Sequence, residues 1–413
     1  MSEAPRIDAA RVITDLRELD RRTGGPDGAR RVAWSQTWRD ARGFLSELLA
    51  EIGLEPERDE AGNLWAWLDG GSRAPGLALG SHLDSVPSGG WLDGALGVLA
   101  AIGVLRAWIE AGEPPPRPLA LVDWADEEGA RFGRSLLGSS AFAGTLDPGE
   151  MRDLRDPEGT RLADALAENA IELDRAREAG RRRERIGAYL ELHIEQGPVL
   201  ESEGLGAAAV GGCVGIERQR LRFRGQAAHA GTTPMERRRD AGLAAAAAAL
   251  GIEAVGREHE GMATTGALTL TPGIATAVPG EAELVADLRH RDAAELEAML
   301  GAALAAAEGA AAERDCDLQV EPVWRIEPVR FDERLIELVR GACGDVAASD
   351  RVLVSGALHD AAEVARVLPA AMMFTPSTEG ISHAPEEDTP EADLEVAIEA
   401  FGVAASRALE ALL

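Results

Sequence analysis

GSHLDSVPSGGWLDG, residues 80–94, is the stretch from which the rest of the chain can be read. An apolar run, Leu77-Ala78-Leu79, leads through Gly80 and Ser81 to His82. A polar, glycine-rich loop follows, and residues 95–111 then carry apolar side chains at helical spacing. The pattern predicts a strand that ends on an imidazole and a loop that brings the Asp93 carboxylate to a helix start. Open α/β sheets place their sites there, outside the carboxyl ends of the strands. A histidine and a carboxylate are ligands of the kind zinc accepts. Asp84, two residues after His82, is placed to hold the other ring nitrogen. A plainer reading stays open on these residues alone: Asp93 caps the helix, and His82 simply ends a strand.

The chain has 413 residues, enough for more than one domain and for large cores. No apolar run approaches the roughly 18 residues of a membrane span. The first residues, MSEAPRIDAARVITDL, lack a basic then apolar signal pattern and start like a soluble amphipathic helix. The net charge is −29, which argues against nucleic acid and anionic membranes as partners. Lysine is absent, so lysine chemistry is excluded. Cys213, Cys316 and Cys343 are widely spaced and form no CxxC, in keeping with a reducing cytoplasm.

Along the chain, residues 7–53 read as two helices, and 63–68, 75–82 and 119–124 as strands. The order strand, helix, strand around residues 75–124 predicts parallel pairing. Residues 150–187 are charged and read as helical, and Tyr189 to Ile194 as a strand carrying His193. Near Gly211 the texture changes. Strands at 216–225, 263–271, 282–288 and 318–324 alternate with helices at 235–256 and 293–313, the ferredoxin-like pattern. The expected division is a first part of the catalytic domain over 1–210, an inserted smaller α+β domain over 211–327, and the rest of the catalytic domain over 328–413. The fold class is therefore α/β, with a mixed, mainly parallel sheet flanked by helices plus the insert.

Asp126-Glu127-Glu128 follows a strand that is buried by pattern. Like charges crowded there are costly unless a cation is present. With a divalent metal, one carboxylate can ligate and its neighbour can serve as general base. A solvated acidic loop is the alternative in a chain with 71 acids. Of seven histidines, His82, His193, His229, His359 and His383 lie in small motifs beside acids, glycines or strand ends. His82, Asp93, Glu128, His193 and His383 together supply nitrogen and oxygen ligands with no sulfur. That set suits two metals sharing a carboxylate, with positions left for water.

Six motifs then run in order from near residue 80 to near residue 390: GSHLDSVPSGGWLDGALGV, DEEGARFG, ELHIEQGPVLE, GQAAHAGTTPMERRRDA, VPGEAELVADLRHRD and GISHAPEE. Together they resemble the dinuclear-metal amidohydrolases of the N-carbamoyl-L-amino acid hydrolase, allantoate amidohydrolase and β-ureidopropionase group, within the aminoacylase and carboxypeptidase superfamily. The resemblance implies that His82 and His193 hold one ion, Glu128 and His383 the other, and that Asp93 bridges. It implies Glu127 as general base, acting on a water between two divalent ions. Zinc is the expected ion, and manganese and cobalt suit the same ligands. Gln196, Thr276, Arg289 and Gly356 fall at substrate-side positions, with Arg289 gripping a carboxylate. His229 would stabilise the oxyanion, in relatives from a partner subunit, so a homodimer formed through the insert is implied. The implied substrate is a small ureido or amide carboxylic acid, an N-carbamoyl amino acid first and allantoate or ureidoglycolate second. Two positions depart from the family pattern. Thr276 stands where asparagine is usual, and Leu358 precedes His359 where glycine is usual.

Overall fold

A computed structural model describes residues 5–412. The chain forms two compact units: one runs up to Gly212 and resumes at Arg330, and the other spans Cys213–Val329. The sequence reading put both breaks two residues earlier.

The first unit is built on a nine-stranded sheet. In chain order its strands are β1 (Glu57–Arg58), β2 (Leu64–Leu68), β3 (Gly76–His82), β4 (Leu119–Trp124), β5 (Ile186–Ile194) and β6 (Ala208–Cys213). The strands of the second unit follow: β7 (Gly215–Arg224), β8 (Ala228–His229), β9 (Met262–Thr271), β10 (Ala277–Val278), β11 (Glu281–His290) and β12 (Asp317–Ile326). The chain then returns with β13 (Val329–Arg330), β14 (Val352–Ser355) and β15 (Ala370–Thr375). The large sheet has the order β1-β2-β4-β3-β5-β15-β6-β13, with β14 beside β6. Its centre, β4, β3, β5 and β15, is parallel, and β1, β2 and β6 pair antiparallel.

β3 and β4 are buried along their whole lengths, which is why they read as apolar runs rather than alternating ones. One face of the sheet sets Leu79, Leu121, Leu190 and Met373 against a core that includes Leu16, Leu99, Val339 and Phe401 from helices. On the other face Trp124 meets Trp65, Tyr189 and Phe142 edge-on. The helix Ala95–Ala111 has every residue from Ala95 to Arg106 buried. A helix so enclosed holds the loop before it in place.

The second unit is a four-stranded antiparallel sheet in the order β12-β7-β11-β9. The helices Ala241–Glu258 and Ala293–Glu313 share its core, with Ile252 and Met299 against Leu221, Phe223 and Leu284. This is the ferredoxin-like arrangement. β8 and β10 form a separate two-stranded ribbon.

Two expectations hold only in part. The helix expected from Met235 begins at Ala241, where Asp240 accepts the Leu243 N–H, and Met235–Arg237 is a single tight turn. Residues 150–187, read as helical, are helical in three pieces, Pro148–Met151, Leu162–Glu168 and the tightly wound Leu173–Arg185, with non-helical chain between them. Among the described residues no helix is long and apolar enough to cross a membrane.

Candidate metal centre

His82 closes β3 and His193 lies one residue from the end of β5. These neighbouring parallel strands therefore present two imidazoles at the same end of the sheet. Both rings are buried. Nδ1 of His82 lies 3.0 Å from the Asp84 carbonyl oxygen, and Nδ1 of His193 lies 3.0 Å from the Ile194 carbonyl oxygen. A carbonyl only accepts, so Nδ1 carries the proton and Nε2 of the neutral ring keeps a lone pair. Both Nε2 atoms approach Asp93 Oδ1, at 3.6 and 3.2 Å.

Asp93 does not cap the following helix, whose capping position is Gly94 with no side-chain bond. Gly94 has φ 65°, and a Cβ there would lie 2.4 Å from the His82 ring. A glycine after the carboxylate is thus required by both backbone and space. Asp93 Oδ2 accepts from Gln196 Nε2 at 2.8 Å and lies 3.3 Å from His383 Nε2. His383 Nε2 is in turn 3.4 Å from Glu128 Oε2. Ligand atoms of His82, Asp93 and His193 lie within 4.8 Å of one another, and so do those of Asp93, Glu128 and His383. The two groups share Asp93.

The residues fit a pair of divalent ions. Nε2 of His82, Nε2 of His193 and Oε1 of Glu128 are buried and make no hydrogen bond. Buried polar atoms without partners are rare and call for an explanation. All three belong to residues of the two groups, and their donor chemistry suits zinc or a similar ion. A third cluster, Glu191, His193 and His359, lies beneath. The Glu191 oxygens already accept from Ser81, Tyr189 and the Ala361 N–H, at 2.8, 3.1 and 2.9 Å.

Asp84 behaves otherwise than expected. Its carboxylate is 3.8 Å from His82 Nδ1, too far for a hydrogen bond, and its carbonyl holds the ring instead. The carboxylate accepts the N–H groups of Glu127 and Glu128, at 3.2 and 3.1 Å. It therefore shapes the acidic turn, whose first residue, Asp126, sits at φ 57°. Glu127 is buried, with Oε2 3.7 Å from His82 Nε2. Burial, then the charges of Asp360 and Glu128, push its carboxyl well above the usual range. A carboxyl with raised proton affinity beside the ligands is suited to take a proton.

In the second unit, His229 is exposed and its Nδ1 accepts the Gly231 N–H at 3.0 Å. His229 pairs with Ala277 across the β8–β10 ribbon, so Thr276 lies next to it, and the Thr276 carbonyl accepts the Ala230 N–H at 2.9 Å. Arg289, near the end of β11, donates from Nε to Asp287 at 2.8 Å. Gly356, just after β14, is exposed, and a Cβ there would meet open space. Sequence reasoning missed Glu387, Ser382 and the buried Glu191 and Asp360 around these residues. Glu387 lay inside the GISHAPEE motif but has no ligand role that would single it out.

The family model of peptidase family M20/M25/M40 matches residues 78–407. An N-carbamoyl-L-amino acid amidohydrolase of Geobacillus stearothermophilus is 37% identical over 389 residues, 94% of each chain. An allantoate amidohydrolase of Bacillus subtilis (strain 168) is 32% identical over 406 residues, 97% of this chain and 98% of its own. The crystal structure of a hydantoinase/carbamoylase family amidase from Burkholderia multivorans matches with a TM-score of 0.90 at 31% identity, covering 97% of this chain and 98% of that one. The chain belongs to peptidase family M20/M25/M40, and within it to the hydantoinase/carbamoylase amidases. It is a metal-dependent amidohydrolase, acting on C–N bonds other than peptide bonds.

Proposed function

We propose that this protein hydrolyses the linear C–N bond of an N-carbamoyl amino acid, giving the amino acid, carbon dioxide and ammonia. The observation that carries the reading is the pair of ligand groups joined at Asp93, with Glu127 buried beside them and outside both groups. His82, Asp93 and His193 would hold one ion, and Asp93, Glu128 and His383 the other, zinc before manganese or cobalt. Such ions, when bound, polarise a carbonyl and make water a better nucleophile at neutral pH. Glu127 takes the proton of the attacking water and returns it to the leaving nitrogen. His229 donates to the oxygen on which charge develops. Gln196, Thr276 and Gly356 line the substrate side, and Arg289 grips the carboxylate through its planar fork.

The layout of the second unit favours two copies per site. Arg289 pairs with Ile216 near one end of β11, whereas the ribbon carrying His229 and Thr276 springs from the other end, where Glu281 pairs with Arg224. Those strand positions are separated by roughly 27 Å at about 3.4 Å per residue. A ureido acid spans only a few bonds from its carbonyl to its carboxylate. A dimer in which one copy lends His229 and the other Arg289 resolves the mismatch.

Allantoate is the second reading, because an allantoate amidohydrolase is among the relatives and the ligand set would be the same, while Thr276 and Leu358 depart from the family pattern on the substrate side. Ammonia release from N-carbamoyl-L-amino acids, allantoate and ureidoglycolate, and release of the free amino acid from N-acetyl amino acids, with zinc, manganese or cobalt added, test the proposal. Turnover led by the N-carbamoyl acids supports it. Turnover of N-acetyl amino acids alone would replace it with a deacylase.

A further inference from the structure

Glu387 takes no part in the reaction just described, yet it is only 2% exposed and joins two loops that are distant in sequence. Its Oε1 accepts the N–H groups of Leu92 and Asp93, at 3.2 and 3.0 Å. Its Oε2 accepts the Ser382 hydroxyl at 2.9 Å and the His383 N–H at 3.3 Å. The Ser382 hydroxyl also lies 3.1 Å from Asp93 Oδ2, so it can turn from one carboxylate to the other. Four donors around one buried carboxylate make full use of its lone pairs.

Two further features point to the same residue. A Cβ on Gly90 would lie 2.0 Å from both Cδ and Oε1 of Glu387. The glycine thus leaves the room that the carboxylate needs to reach the loop of Asp93. His383 sits at φ 57°, a backbone conformation that persists in a non-glycine residue only when its surroundings hold it. The Glu387 carboxylate supplies such a hold at the His383 N–H.

We propose that Glu387 is the positioning residue of the second metal position. It sets the Asp93 loop and the His383 loop in register, so that Asp93, Glu128 and His383 converge. The inference rests on the ligand assignment above. His82 and His193 stand on β3 and β5 and do not depend on Glu387 for their placement. The first ion keeps both histidines even if the Asp93 loop shifts, whereas the second depends on Asp93 and His383 together, so loss of Glu387 weakens the second ion more than the first.

The test is zinc binding by the full chain, stripped of metal and then dialysed against buffered zinc. His383→Ala serves as the reference, and the melting temperature of each metal-free variant is recorded alongside. The wild type should hold two zinc ions per chain and His383→Ala one. Glu387→Ala should hold its weaker zinc about 10- to 100-fold less tightly than the wild type, the usual cost of losing a group that orients a ligand. Gly90→Ala, which displaces Glu387 without removing it, should lower the same affinity and keeps the test alive if Glu387→Ala fails to fold. Wild-type affinity for both ions in Glu387→Ala or Gly90→Ala overturns the proposal. Loss of both ions in Glu387→Ala, with one kept in His383→Ala, overturns it too. If His383→Ala still holds two ions, the ligand assignment itself has failed.

Discussion

His82 and His193 each give Nδ1 to a backbone carbonyl, and that contact leaves Nε2 of each ring to face the other groups. Without an ion, the centre holds protons that a metal must displace. Burial and then the Asp93 charge push Glu128 up to about 8. Burial alone would lower His193, but Asp93 raises it to about 9, and the hydrogen bond to Asp93 raises His383 to about 9. His82, lowered by burial to about 3, is already neutral. Zinc binding should therefore release protons, and its apparent affinity should rise with pH up to about 9, where the last of these groups loses its proton. Calorimetry in buffers of different ionisation heat reads this directly, and binding without net proton release contradicts the assignment. At this scale the clustering of His82, Asp93, Glu128, His193 and His383 was legible, because their residue types and motifs carry the chemistry. The work of Asp84 and Glu387 was not, because each acts on backbone N–H groups far along the chain, which no motif encodes.

On β11 the Asp287 carboxylate accepts from Arg289 Nε at 2.8 Å and from Arg218 Nη2 at 2.6 Å. Strand pairing sets this up, since Asp287 stands directly opposite Arg218 on β7. Arg289 is thus held by its Nε, and a lysine there has no such edge to offer. Arg289→Lys should raise KM for N-carbamoyl acids on the order of tenfold or more, while kcat changes less. Unchanged KM, or equal turnover of substrate amides by the wild type, removes the clamp. The helix Ala293–Glu313 matched its sequence reading to the residue, because Asp292 accepts the N–H groups of Ala294 and Glu295 and alanine fills the interior. The helix expected from Met235 starts at Ala241 instead, because Pro234 and a tight turn precede the cap at Asp240. Residues 150–187 are helical only in pieces, because their many charges hide a broken apolar pattern: Leu162 and Leu166 are buried on one short helix and Leu173 on the next.

For the whole molecule, the division into two units was readable from the change from apolar runs to alternating strands near Gly211. The order of strands in the large sheet was not, since β15 inserts between β5 and β6 only through contacts made after the insert. The two-copy reading predicts complementation. Mixed Glu127→Gln and His229→Ala chains, once subunit exchange is verified, should regain part of the activity, because one of the two sites then has both groups intact. No recovery would mean that His229 acts within its own chain or not at all. The central claim, hydrolysis of a ureido C–N bond with Glu127 as the base, is tested most directly by ammonia release from N-carbamoyl-L-amino acids. Wild type and Glu127→Gln are compared, each first shown to carry two ions per chain. The wild type should turn over, and the variant should be slower by about 10²- to 10⁴-fold, the usual worth of a general base. A fully metallated Glu127→Gln enzyme that releases ammonia at the wild-type rate would contradict the account.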